Sequence, residues 1–344
     1  MSRREDLDWV RTVSAFGVVL LHASSLFVAR PSRLALLGVT PALLCNQAVR
    51  FAVPVFFMLS GMGPGLSGKP PELPGFWLRR LRRIGVPYAL WSLFYFLLDR
   101  RFAPGALLSS GGLRAFGRLL LTGGAASHLW FLPVLLQLTL LYPGLKRLVD
   151  RFPALTLPAL FLLSMACTLI LYVPLPFTGW WRPRLWRLFP TWVFYFALGM
   201  ALTEKRLDRL LRPRRGRTLL PALAAAAALA YAWDAGRSGN LESIKPQLFL
   251  YSPLCLLALA ASWERLRRFA RLRALSAFAA RHSMTVYLSH VFFLRLLRRR
   301  SFFNRNTAAM LLTFAAVAAL SLLTALLPAW YGRLRKRRKG RPAP

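Results

Sequence analysis

The sequence predicts an all-α fold: a polytopic integral membrane helical bundle of about ten transmembrane helices with both termini cytoplasmic. Three observations predict it. The 344 residues are 56% hydrophobic and the mean hydropathy is +0.44, above the roughly 45–50% apolar content of a soluble domain. The excess is gathered in blocks of roughly 15–24 residues, the length of helix that crosses a hydrocarbon core. The 48 Lys and Arg residues lie mainly between those blocks and are shared unequally among them. That inequality is how a membrane protein records its topology, because cytoplasmic loops collect Lys and Arg.

The spans fall at about 10–29, 44–67, 84–98, 129–145, 157–174, 188–203, 218–235, 246–262, 284–297 and 308–331. The first follows "MSRREDLDWV", which is basic and then acidic. A cleaved signal peptide has a shorter apolar core and no acidic residues there, so this span is read as retained. The third and ninth are short and read as tilted or half-buried. The longest connection, 99–128, contains "ALLSSGGLRAFGRLLL" (106–121), whose apolar, Gly and Arg mixture suits a segment lying in the interface or re-entering the membrane. "RPRRGR" (212–217) reads as a polar turn between two spans. The organisation expected is one membrane domain over 1–331 and a polybasic cytoplasmic tail over 332–344, whose charge also suits anionic lipid.

Counting supports the orientation. The two termini and the even-numbered loops carry 30 basic residues and the odd-numbered loops carry 15, with Arg11, Arg50 and Arg295 inside spans. One conflict remains, since "RLLRRR" (295–300) falls on the outer side. The net charge of +37 would suit a nucleic-acid binder, but the charge forms no single domain surface, so nucleic acid is excluded as a partner. Cys45, Cys167 and Cys255 all lie in apolar spans without CxxC spacing, which points to small buried side chains and neither a disulfide framework nor a metal site. All eleven acidic residues lie near span ends or in loops. That argues against a proton-coupled transporter, which commonly holds a carboxylate at the midplane.

Polar groups within spans are costly and mark function by default. "RTVSAFGVVLLHAS" (11–24) holds Arg11 and His22. Eleven residues at about 100° each end about 20° past three full turns, so the two share a helix face, about 16 Å apart along the axis. Asp8, one turn before Arg11, is placed to pair with it. Arg11 reads either as a structural ion pair or as functional, and His22 either as a packing histidine or as a base, its ordinary pKa being near 6.5. In "FWLRRLRRIGVPYALWSLFYF" (76–96), Arg79 with Arg82, and Arg80 with Arg83, are i, i+3 neighbours if the segment is α-helical. Paired guanidiniums suit phosphate oxygens, and an ordinary cytoplasmic basic cluster is the other reading. In "VPVFFMLSGM" (53–62), Ser60 and Gly61 interrupt an apolar run, and the glycine permits close helix approach or a kink.

Together these segments resemble the membrane acyltransferase-3 family of integral O-acyltransferases. "LDWVRTVSAFGVVLLH" is similar to its first-span signature and "VPVFFMLSG" to its second motif. "RRLRRIGVPYALW" resembles its Arg-x-x-Arg segment, and "HLWFLPVLLQL" (128–138) and "FALGMAL" (196–202) resemble later patterns. "SMTVYLSHVFF" (283–293) resembles the last, with Tyr287 and His290. The family often carries an extra periplasmic hydrolase-like domain, and this chain resembles the branch that stands alone.

The resemblance implies an enzyme of the plasma (inner) membrane that moves an acyl group, acetyl by family custom, from cytoplasmic acyl-CoA to a hydroxyl. The acceptor would be a cell-envelope glycan, a lipid-linked sugar or a related molecule. It implies a catalytic role for His22, essential roles for Arg11 and for Arg79 and Arg82, and no metal. The four arginines at 79, 80, 82 and 83 would hold the coenzyme phosphates. Asp8, Ser60, Trp130, Tyr287 and His290 would support the site, with Trp130 and Tyr287 as candidate oxyanion donors, the other reading of both being interface aromatics. "GWWRPRLWR" (179–187) would meet the acceptor or mark the membrane boundary. A transporter or flippase of an envelope precursor is the alternative, and it predicts inverted repeats and broken helices.

Overall fold

The computed structural model describes residues 4–28, 39–65, 73–101, 103, 105, 107–173, 182–211, 214–239, 244–298 and 306–326. The basic tail expected over 332–344, residues 179–181 and residues 299–300 lie outside them. Among the described residues every regular element is helical. In chain order these are α1 (Glu5–Ser24), α2 (Pro41–Ala48), α3 (Ala52–Gly65), α4 (Leu73–Arg80), a π-helical stretch (Leu81–Gly85), α5 (Val86–Asp99) and α6 (Ser110–Thr122). They continue with α7 (Phe131–Arg151), α8 (Pro153–Tyr172), α9 (Arg182–Leu185), a 3₁₀ turn (Phe189–Thr191), α10 (Val193–Ala201) and α11 (Glu204–Leu211). The last are α12 (Arg214–Ser238), α13 (Leu248–Leu266), α14 (Ala270–Arg281), α15 (Ser283–Arg298) and α16 (Thr307–Thr324).

Among the described residues, four segments are long and apolar enough to cross a membrane: Pro41–Gly63, Pro153–Tyr172, Thr218–Ser238 and Thr307–Thr324. The other expected spans are shorter, as in the nine-residue α10, or carry charge at one end, as α1 does with Glu5, Asp6 and Asp8, α7 with Lys146, Arg147, Asp150 and Arg151, and α13 with Glu264 and Arg265. Pro41–Gly63 is 67% buried and the other three only 17–28%. Their outward faces carry exposed leucines, including Leu155 and Leu162 on α8 and Leu311 and Leu312 on α16. Such faces are stable against lipid and not against water.

The chain divides into two compact units. Of the described residues, those within Val53–Leu220 and Glu242–Leu257 form the first, and those within Arg3–Ala52, Pro221–Leu241 and Ala258–Pro344 the second. In the first unit, α7, α8 and α10 pack on one another and α4 with its π-helical continuation packs on α7. Helices α3 and α10 approach until backbone meets backbone: a Cβ added at Gly61 would overlap the carbonyl oxygen of Phe196, and one at Gly199 would overlap that of Met58. Two segments that resemble separate family motifs are therefore the two sides of one contact. Helix α6 is capped by the Ser109 hydroxyl, which accepts from Gly112 N at 3.0 Å, and by Gly123 with φ +68°. Its Phe116 meets Phe96 of α5, while Leu113 and Leu121 remain exposed, as an interfacial helix requires.

In the second unit α1 packs on α2, α14, α15 and α16. Val19 and Ala23 of α1, Val286 and Leu294 of α15, and Val317 and Ala318 of α16 form its core, flanked by Phe16, Phe293 and Phe314. Polar bonds lock α1 at its start. Thr12 Oγ1 donates to the Ser276 carbonyl at 3.0 Å, and Trp9 Nε1 donates to Ser262 Oγ at 3.1 Å while its ring stacks on Trp263.

Two prolines explain two irregularities. Pro54 has no N–H to give the carbonyl of Arg50, so a helix through it loses a bond and meets the ring. The chain answers with a break after α2, where Arg50 N bonds Gln47 O at 3.2 Å and Ala52 N bonds Val49 O at 3.1 Å. Pro87 denies a bond to the Arg83 carbonyl in the same way. Here the helix widens instead of breaking, and Val86 N reaches back five residues to the Leu81 carbonyl.

Candidate active site

Helix α1 is continuous from Glu5 to Ser24, so the shared face of Arg11 and His22 follows from its regular winding. Asp8 Oδ1 lies 3.8 Å from Arg11 Nη1. Asp8 is buried and the Arg11 side chain is 35% exposed, which describes a pair at the rim of a helix packed on protein. His22, in the last turn, is partly buried.

The His22 ring meets the ring of His290 on α15, centroid to centroid at 5.1 Å and tilted by 42°. His290 is fully buried. Its Nδ1 lies 2.7 Å from the Tyr287 carbonyl and 3.3 Å from that of Val286. A carbonyl only accepts, so Nδ1 carries a hydrogen, and in the neutral ring Nε2 is then the acceptor. Tyr287 itself is buried, its ring 6.0 Å from that of His290. Two imidazoles side by side, one of them with its tautomer set by a backbone carbonyl, make an arrangement suited to accepting and returning a proton.

Around the same turn of α1 lies a polar group that the sequence reading did not assemble. Asn46 of α2 donates from Nδ2 to the Leu21 carbonyl at 3.1 Å, to Ser24 Oγ at 3.2 Å and to Ser25 Oγ at 3.0 Å. Its oxygen accepts from Arg50 Nη2 at 2.8 Å and from Gln47 Nε2 at 3.0 Å. Sequence alone shows Arg50 only as a charge within a span. An asparagine four residues before an arginine, within an apolar run, was the available signal.

The remaining expected residues belong to the first unit. Arg79, Arg82 and Arg83 are exposed and Arg80 is half-buried with its guanidinium 5.6 Å from the Phe76 ring centroid. The expectation of α-helical i, i+3 pairing is corrected here. Arg82 and Arg83 lie in the π-helical stretch, whose wider turn stacks residues four to five apart instead of three. Arg79 thus aligns more nearly with Arg83 than with Arg82, and the group is a fan of cations instead of two stacked pairs. Ser60 Oγ donates to the Phe56 carbonyl at 2.7 Å, a back-bond that bends helices. The Trp130 ring lies 4.8 Å from that of Trp186 and 5.2 Å from that of Trp192, which gives it a packing role whatever else it does. The two halves of "GWWRPRLWR" separate: Arg182–Leu185 is a short helix, and Trp186 joins that aromatic group. Arg214–Arg217, read as a turn, already belongs to α12. Among the described residues no three of His, Cys, Asp and Glu gather as metal ligands would.

A family model described as an acyltransferase domain, that of acyltransferase-3, matches residues 4–330. The chain belongs to the acyltransferase-3 family. It is a membrane O-acyltransferase, an enzyme that passes an acyl group from a donor to a hydroxyl-bearing acceptor. No curated protein and no solved structure matches it. In this acyltransferase the match takes in α1, both histidines, the arginine fan and the glycine contact of α3 and α10.

Proposed function

We propose that this acyltransferase takes an acyl group, acetyl in the simplest case, from a cytoplasmic acyl-CoA and places it on a hydroxyl of a cell-envelope glycan, lipid-linked sugar or related acceptor. In this reading residues 1–331 form about ten spans in the plasma (inner) membrane, with both termini and the basic tail of 332–344 in the cytoplasm. His22 is the general base, and His290 orients it. The observation that carries the reading is the His22–His290 ring pair at 5.1 Å at one end of a helix whose other end holds the Asp8–Arg11 pair.

The acceptor hydroxyl gives its proton to the imidazole of His22 as its oxygen attacks the thioester carbonyl. Collapse of the tetrahedral adduct breaks the carbon–sulfur bond, and the leaving thiolate recovers that proton. Coenzyme A carries a pyrophosphate and a 3′-phosphate, and the exposed guanidiniums of Arg79, Arg82 and Arg83, with Arg80 beside them, offer the separated cations that such a group requires. Arg11, neutralised in part by Asp8, holds the cytoplasmic end of α1.

The test is transfer of label from [acetyl]-labelled acetyl-CoA into the envelope fraction, using membranes that contain the wild-type chain or His22→Ala. Label with the wild type alone is expected. Equal label from both removes His22 from the chemistry.

A further inference from the structure

We infer that Arg50, held by Asn46 against the last turn of α1, is a catalytic residue that stabilises the oxyanion formed when the acceptor attacks the acyl carbonyl, with Asn46 as its positioning residue. The inference rests on the acyl-transfer reading above and adds the group which that reading lacks.

The position is unusual in three independent ways. First, Arg50 is only 9% exposed in a segment, Pro41–Gly63, long and apolar enough to cross a membrane, where an arginine is costly and marks a site. Second, it sits in the break between α2 and α3. Irregular backbone at membrane depth is tolerated only where it is buried in protein or lines a cavity. Third, its guanidinium is fixed. Arg50 Nη2 donates to Asn46 Oδ1 at 2.8 Å, and Asn46, 1% exposed, is itself held by three acceptors, Leu21 O, Ser24 Oγ and Ser25 Oγ. Those residues flank His22 in sequence on both sides.

Oxyanion stabilisation works through donors aimed beforehand at the place where charge develops, in a site of low dielectric. The guanidinium is a rigid planar fork of five N–H donors, and the bond to Asn46 fixes the direction of that fork. In the balanced step, the hydroxyl oxygen bonds to the carbonyl carbon, the hydroxyl proton passes to His22, and the carbonyl π pair moves onto oxygen beside Arg50. The pair returns as the carbon–sulfur bond breaks, and the thiolate leaves as thiol with the proton from His22. Arg50 gives and takes no proton. Its contribution is made in the transition state and little in the ground state, so it belongs to kcat and not to donor binding.

The experiment uses the full chain in detergent micelles, checked for a monodisperse elution profile, with acetyl-CoA as donor and label transfer to the envelope fraction as readout. Arg50→Gln keeps a hydrogen bond to Asn46 without the charge. It is expected to lower kcat by about 10²–10³-fold, with KM for acetyl-CoA within threefold of wild type. Arg50→Lys restores part of that loss, and Asn46→Ala lowers kcat by about tenfold at unchanged KM. An Arg50→Gln enzyme with kcat within threefold of wild type, or one whose loss lies in KM, overturns the inference and leaves the acyl-transfer reading standing. If Arg50→Gln does not fold, Asn46→Ala decides: kcat within twofold of wild type overturns it. A wild-type chain that transfers no label overturns both.

Discussion

Gly61 and Gly199 offer the sharpest test of how this fold is held. In the first unit, a methyl group at Gly61 falls on the carbonyl oxygen of Phe196, and one at Gly199 on the carbonyl oxygen of Met58. Both obstacles are helical backbone, which has no rotamer to change. Gly61→Ala therefore requires α3 and α10 to separate by on the order of 1 Å, and every side-chain contact across the crossing loosens with it. Overpacking of this kind costs about 1–3 kcal/mol, and the immovable obstacle places both substitutions at the upper end. Each also gains roughly 0.5–1 kcal/mol of helix propensity over glycine. The net expectation is a loss of about 1–2 kcal/mol for each single variant. One separation relieves both clashes, so Gly61→Ala with Gly199→Ala together should lose less than the sum.

The assay is thermal unfolding of the full chain in detergent, followed by the fraction that survives size-exclusion after heating. Gly117→Ala and Gly144→Ala are the controls, because an added Cβ at either meets nothing within 4 Å. The controls should match or exceed wild type. Gly61 and Gly199 variants as stable as the controls would refute the close crossing.

Three further outcomes follow from the site. Arg79→Ala with Arg82→Ala should raise KM for acetyl-CoA about tenfold or more and spare kcat, whereas His22→Ala should lower kcat and spare donor binding; the same pure binding defect in both would end the division of labour. Pro54→Ala supplies an N–H for the Arg50 carbonyl and allows α2 to run on into α3, so stability should hold or rise while kcat falls, and an unchanged kcat would show that the break is incidental. His290→Ala should lower kcat by about tenfold without altering KM, as expected of a group that positions the base, and a loss confined to stability would make it a packing residue.

Most of what could be read in the sequence was local. The run from Arg11 to His22 is one uninterrupted helix, and a helix relates its own residues by fixed angles, so their shared face and the Asp8 pair required no knowledge of the rest of the chain. The arginine cluster shows where a local rule gives way. Its i, i+3 spacing is sound for an α-helix, but Pro87 withholds one backbone bond and the π-helical winding of Leu81–Gly85 redirects Arg82 and Arg83. The proline was the signal for that change. Pro54 was equally the signal for the break that sets Arg50 apart from α3.

Composition, apolar block length and the placement of Lys and Arg determined by themselves that this is a helical membrane protein, because the bilayer imposes one length scale and one polarity on any chain that crosses it. The motifs, each a matter of adjacent residues, determined its family. Only the tertiary structure decided which of those residues meet. His22 touches His290 from 268 positions away in sequence, Asn46 and Arg50 close on the turn beside His22, and the glycines of two separate motifs face each other's backbone. Those encounters depend on how helices pack, which is a property of all their faces at once and is written in no single stretch of the chain.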